Sequence, residues 1–342
     1  MNLSGRSDPL NLRGRRIFIT GGTGFLGRSL LDYLREGVER HGGDTRITVL
    51  SRFPERFLQT YPQYAGLPWL DFTVGDLANL PHVEMHTYTD VIHGAADTHS
   101  GADPLAWFEQ LVSGTRNVLE LARGAAVQRL LLISSGAVYG PQPQEVYALR
   151  EDHPFAPLPM DVGTLYGHGK RMAEHICAQY AATGGPECVV ARCFAIVSPH
   201  VPLDGPYAMG NFLRDALTGK GIRISGSGKT VRTYIDGRDM AHWMFTLLQC
   251  GQSGEAYNVG SDQPVSMLEL AKAIRDVVGI DQPIEVSSQT ESTVRSVYLP
   301  SIQKVANLDL RIETQLRQAL EQAIRALQKS LHRSRLAPSL KP

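Results

Sequence analysis

No segment of this sequence is apolar for the roughly 18 residues that a membrane-spanning helix requires. The opening stretch, MNLSGRSDPLNLRGRR, has no apolar core of the kind a secretory signal needs, so a cytoplasmic location is expected. Net charge is missing as well, because 34 Lys and Arg balance 34 Asp and Glu. That balance argues against nucleic acid or an anionic membrane as the partner, and leaves any bound anion to a local site. Cysteine is scarce: Cys177, Cys188, Cys193 and Cys250 show no C-x-x-C pair and no metal-ligand spacing. No metal is expected, and the thiols are read as free ones in a reducing compartment.

What the sequence does have is alternation. Short β-branched runs (RIFIT, RITVL, LDFTVGD, DVIHGAA, RLLLISS) are separated by helical patterns such as RSLLDYLREGVERH and PLAWFEQLVSGTRNVLELARGA. Strands and helices in turn predict an α/β fold, a Rossmann-type doubly wound parallel sheet. A helix is expected from Leu165 to Ala182, and CVVARCFAIV reads as a sixth strand. Beyond it, segments rich in Gly and Pro suggest a smaller C-terminal α/β substrate lobe. The expected division is a nucleotide-binding domain at 14–198 and the lobe at 199–330, with the chain free to cross back, and flexible tails at 1–13 and 331–342.

ITGGTGFLG sets Gly21, Gly24 and Gly27 between the first strand and the first helix. Glycine suits a tight turn and a close approach to pyrophosphate, and the helix start offers free N–H groups. A dinucleotide site is predicted, with Thr23, Phe25 and Leu26 also in contact. At the end of the second strand Ser51 and Arg52 stand where a carboxylate would select NAD. A hydroxyl and a guanidinium suit a 2′-phosphate better, so NADP is favoured and NAD is the alternative. Asp76 and Leu77 in VGDL are placed beside the adenine, although Asp76 equally suits the cap of a turn. Ala95 and Ala96 would let the backbone approach the cofactor.

TLYGHGKRMAEH places Tyr166 and Lys170 one helical turn apart. A phenol with a pKa near ~10 is a poor base at neutral pH. Lys170 is expected to lower it through its charge and to reach the nicotinamide ribose. Ser135, in ISSGAVYG, can hydrogen-bond the same substrate oxygen.

Together GGTGFLG, VGDL, VIHGAA, SSGAVYG, YGHGK with Glu174 after it, RCFAIVSP and GSGKTVRTYIDGRDM resemble one family. It is the extended short-chain dehydrogenase/reductase superfamily, in its NAD(P)-dependent nucleotide-sugar epimerase/dehydratase branch, and the resemblance covers nearly the whole chain. It implies Tyr166 as acid/base, Lys170 as its partner, Ser135 as the third member and a homodimer. It also implies Arg232 as the contact to the diphosphate of a nucleotide sugar, with Thr98 and Arg295 as further substrate contacts. Glu291 stands near the place of a second phosphate-binding arginine, for which Arg295 would compensate. Gly136 and Ala137 replace the acidic residues that dehydratases and decarboxylases of the branch use, and Ala195 replaces an asparagine. The implied reaction is 4-keto-sugar reduction by hydride transfer. The alternatives are a 4-epimerase with tightly held NAD and a non-catalytic NADP-binding sensor. Trp107 and Phe108 are read as core packing, and His93 and His99 as packing or supporting residues rather than metal ligands.

Overall fold

RIFIT and RLLLISS each hold an unbroken apolar run, IFI and LLLI, so both faces of the strands they form must be covered. The computed structural model describes residues 12–41, 44–78, 80, 88–95, 103–287 and 296–336. Its first half alternates β1 (Arg16–Thr20), α1 (Phe25–His41), β2 (Arg46–Ser51), α2 (Pro54–Thr60), β3 (Leu70–Val74), β4 (Asp90–His93), α3 (Pro104–Gly124) and β5 (Arg129–Ser135). Then come α4 (Leu165–Ala182), β6 (Glu187–Cys193), β7 (Ala195–Val197), α5 (Ala208–Leu217), β8 (Ile222–Ile224), β9 (Val231–Arg232) and β10 (Tyr234–Asp236). The chain ends with α6 (Gly237–Cys250), β11 (Ala256–Val259), β12 (Val265–Ser266), α7 (Met267–Val278), β13 (Ile284–Val286), α8 (Gln303–Ala306) and α9 (Leu316–Leu336).

Seven strands form one sheet in the order β11-β6-β5-β4-β1-β2-β3, with every neighbouring pair parallel. Alternate residues face opposite sides. Ile17, Ile19, Ile47 and Val49 point to the side covered by α1 and α6, where they meet Leu30, Leu34, Met240 and Met244. Phe18, Leu50, Leu130 and Leu132 point to the side covered by α3 and α4, against Val118, Leu119, Ala173 and Cys177. Each such buried side chain contributes about 1.5–3 kcal/mol. A separate core joins α5, β8, α7 and α9 through Phe212, Leu213, Ile222, Leu270 and Ile324. Between those elements α6 and β11 return to the main sheet, so the chain after residue 198 builds both bodies. The fold is therefore a doubly wound α/β sheet of Rossmann type with a smaller C-terminal α/β body.

The expected sixth strand is two strands. β6 pairs with β5 and β11, and the Phe194 amide donates to the Val259 carbonyl, the last residue of β11. With β11 ended, the extended chain needs a new partner, and β7 finds it in β10 as a two-stranded sheet. Cys177, Cys188 and Cys193 are buried, Cys250 is exposed, and all four are unpaired. Among the described residues no helix is long and apolar enough to cross a membrane.

Candidate active site

Strand order reverses between β1 and β4, and in such sheets a crevice opens outside the carboxyl ends of the strands at that point. A cleft of about 680 Å³ lies there, walled by Thr20, Ser51, Gly94 and Ser135 at the strand ends. Gly21 turns the chain with φ of +77°, and a Cβ on it would come 2.5 Å from the Gly94 carbonyl carbon. At Gly24 the only described atom near the missing side chain is the Gly21 carbonyl, 3.3 Å away, so that space belongs to the cleft. α1 starts at the next residue, and the first amides of a helix have no partner within it. Thr23, Phe25 and Leu26 line the same wall, while Gly27 is buried beneath it, where a side chain would collide with the Gly21 and Gly22 backbone. This cradle fits the pyrophosphate of a dinucleotide.

Farther along, Ser51 and the exposed Arg52 stand at the end of β2, with Asp76 and Leu77 opposite. The Asp76 carboxylate accepts the Ala78 amide at 2.9 Å, so it caps a turn and lines the cleft at once. Ala95 is in the wall. Ala96, Thr98, His99, Glu291 and Arg295 lie outside the described residues. His93 is fully buried, bonded to Thr20 Oγ1 at 2.7 Å and Thr115 Oγ1 at 3.0 Å. Burial, helped by the Lys170 charge, lowers its pKa to about 3, so it is a neutral tie between β4, β1 and α3.

At the other end Tyr166 and Lys170 reach the cleft from α4 and Ser135 from β5. Lys170 Nζ donates to the Ile133 carbonyl at 2.8 Å and lies 5.9 Å from the centre of the Tyr166 ring. Its complete burial lowers the ammonium to about 8, against the pull of Cys193 and Glu174. The expectation that Lys170 lowers the phenol is not met by these protein groups. Burial raises Tyr166 well above its ordinary value, Tyr207 and Cys193 add to the rise, and a hydrogen bond with Ser135 opposes it. Desolvation of the hydroxyl is the largest cause of that rise.

The helix bearing both residues is pinned to the sheet below them. Glu174 receives Arg192 through two nitrogens, at 2.8 to 3.2 Å, and Ser134 Oγ at 2.5 Å. Arg192 also donates to the Tyr139 hydroxyl, 2.9 Å away.

Three placements were not legible in the sequence. Tyr298 reaches into the space beside Gly136, where any side chain would collide with its hydroxyl, and it too is hydrogen-bonded with Ser135. Arg232 stands behind Tyr298, its guanidinium carbon 5.6 Å from that ring and Nη1 donating to the Val231 carbonyl at 2.8 Å. The cleft wall does not include Arg232, although burial does depress its pKa. Trp107, read as core packing, instead lines the cleft and stacks on Tyr166. Only the missing side chain at Gly136 hinted that something from elsewhere must fill that space.

The sequence matches the model of the NAD dependent epimerase/dehydratase family over residues 17–260, more than half the chain. The chain belongs to that family. Among its relatives is UDP-glucuronic acid decarboxylase 2 of Arabidopsis thaliana, 28% identical over 290 residues, which are 84% of this chain and 63% of the relative. UDP-glucuronic acid decarboxylase 1 of Xenopus tropicalis is 27% identical over 277 residues, 81% of this chain and 63% of that protein. The chain thus spans less than two thirds of the length of either. The dTDP-glucose 4,6-dehydratase of Bacillus anthracis, solved in complex with NAD, superposes with a TM-score of 0.78 at 23% identity, covering 92% of this chain and 97% of that one. The UDP-glucose 4-epimerase of Thermotoga maritima, solved with UDP-glucose, gives 0.76 at 20%, covering 92% and 99%. At those identities the structures speak for the shared fold alone.

Proposed function

We propose that this chain transfers hydride between a nicotinamide dinucleotide and a nucleotide-activated sugar, reducing a 4-keto-sugar with Tyr166 as the acid. One observation carries the reading. Among the described residues Asp76 is the only carboxylate in the cleft wall, and it belongs to the nucleotide end. The place beside Ser135 where a side chain at position 136 would project is taken by the neutral phenol of Tyr298. The polar groups around the reacting end are therefore hydroxyls, a thiol, the Gln110 amide, the Trp107 indole and one ammonium, with no carboxylate among the described residues. Such a set can donate a proton to a carbonyl oxygen, whereas expelling water or carbon dioxide by an acid at 136 or 137 has no residue to perform it. The relatives named above that are decarboxylases and dehydratases do not carry over their reaction on this argument.

When bound, the dinucleotide supplies the hydride. Ser135 holds the substrate oxygen, Tyr166 protonates it, and Lys170 keeps positive charge beneath the site as the phenol loses its proton. Gly21 and Gly24 cradle the pyrophosphate over the buried Gly27, with residues 14–198, joined by α6 and β11, as the nucleotide half and the remaining elements after 199 as the sugar half. Ser51 and Arg52 beside the cleft support NADP. The NAD dependence in the family's description supports the second reading, a 4-epimerase with tightly held NAD.

The test is denaturing release of any co-purifying nucleotide, identified by mass, followed by incubation with nucleotide sugars and their 4-keto forms. NADPH consumption that requires a keto-sugar upholds the first reading. Retained NAD with isomerisation and no net redox change replaces it with the second, and neither activity across the panel overturns both.

A further inference from the structure

α3 begins beside the reacting end of the cleft. The Asp103 side chain accepts the Leu105 amide at 3.1 Å, and Pro104 opens the helix, which sets its direction. Trp107 follows one turn in. Facing it, α4 carries glycine on both sides of His168. A Cβ at Gly169 would come 2.7 Å from Leu111 Cδ1, and one at Gly167 would come 2.6 Å from the Ala137 carbonyl oxygen. With no side chain at Gly169, α3 and α4 close until the indole stacks on the phenol, while Gly167 lets α4 settle on the turn after β5. The Trp107 and Tyr166 ring centres are 5.4 Å apart and their planes differ by 8°.

Packing alone does not account for this indole. A buried tryptophan N–H ordinarily finds an acceptor, yet among the described residues Trp107 Nε1 is buried with no hydrogen-bond partner. That unpaired donor is tolerated where the ring contact itself is what the site needs. α3 adds only Trp107 and the neutral Gln110 to the cleft wall. The titratable groups that face Tyr166 come from other elements: Lys170 on its own helix, Cys193 on β6, Tyr207 before α5, and Tyr298. The contribution of α3 to the phenol is thus steric and dielectric.

We propose that Trp107 is a positioning residue for Tyr166: its indole fixes the plane of the phenol and seals one face from water, so the hydroxyl meets substrate from a single direction. This rests on Tyr166 being the acid. A phenol free to rotate or hydrate would still be present but would spend less time aligned, so loss of the indole falls on turnover rather than on binding.

The experiment uses full-length protein carrying ring-labelled tyrosine, with the Tyr166 resonances assigned by Tyr166→Phe. Trp107→Phe keeps a flat partner; Trp107→Leu and Trp107→Met remove it, and either one suffices if the other does not fold. In wild type and Trp107→Phe the ring flips slowly enough to give separate signals for its two edges. In Trp107→Leu or Trp107→Met those signals merge. With NADPH and a UDP-linked 4-keto-hexose, kcat falls 10- to 100-fold in the aliphatic variants with KM within threefold, and Trp107→Phe restores most of it. Ring signals unchanged from wild type in both aliphatic variants overturn the proposal, as does an equal loss in Trp107→Phe. The ring signals are read without substrate, so absence of turnover in wild type would count against Tyr166 as the acid of this reaction and leave the positioning result standing on its own.

Discussion

The two ends of the cleft are built on opposite plans. At the nucleotide end one contiguous stretch, from Thr20 to Leu26, forms the cradle, and glycines leave much of its surface to backbone. At the reacting end Trp107, Ser135, Tyr166, Cys193 and Tyr298 come from five separate places in the chain, and all the chemistry is in side chains. Binding an anion asks only for amides and room, which a strand, a turn and a helix supply locally. Aligning and drying a phenol needs surfaces from several directions, which only packing supplies.

Tyr166→Phe breaks the contrast most severely. Turnover should fall by roughly 10²–10⁴-fold while nucleotide affinity, followed by titration of dinucleotide fluorescence, stays near wild type. An unaltered kcat would remove Tyr166 from the mechanism. Gly27→Ala is the counterpart at the other end. Its methyl group meets the Gly21 and Gly22 backbone, so it should cost about 1–3 kcal/mol in thermal unfolding and weaken dinucleotide binding together.

A smaller effect tests the pairing of Gly136 with Tyr298. Gly136→Ala alone forces the Tyr298 hydroxyl aside and should destabilise by about 1–3 kcal/mol. In the Tyr298→Ala background the same change should cost markedly less, a coupling that a double-mutant cycle in denaturant measures directly. Additive costs would mean that the two residues do not share the space.

Lys170 offers a pH test. Its folded pKa of about 8 lies below its ordinary 10.5, so between those values the unfolded chain binds more protons. Stability from this group therefore rises as pH goes from 8 to 10.5, and it is lowest below pH 8. Lys170→Met should flatten that rise and leave the fold at neutral pH no less stable, while abolishing turnover. A melting curve with the same pH dependence as wild type would show the ammonium to be less buried than its contacts indicate. The mildest change is Arg52→Ala, expected to weaken NADPH binding by about tenfold and NADH binding little; equal losses would remove Arg52 from the choice of nucleotide.

Much of this molecule was readable before folding. The runs RIFIT and RLLLISS and the helix from Leu165 to Ala182 form with the expected bounds, because hydrophobic period and glycine punctuation are local signals. The split of CVVARCFAIV was not readable: the run stays extended and apolar throughout, and where it changes sheets depends on the end of β11, more than 60 residues downstream. The burial of Tyr166 and Lys170 was not readable for a related reason, since spacing along a helix says nothing of how deeply either group lies.

Sequence alone determined the cradle and the proximity of Tyr166 to Lys170, since a glycine turn after a strand and a four-residue step on a helix are set by backbone geometry. Tertiary structure decided what surrounds the phenol: an indole laid flat on its ring, a second tyrosine in the space Gly136 vacates, and burial that raises the phenol while lowering the ammonium. Those depend on which distant segments come to share one volume, and burial exists only once they have closed around it.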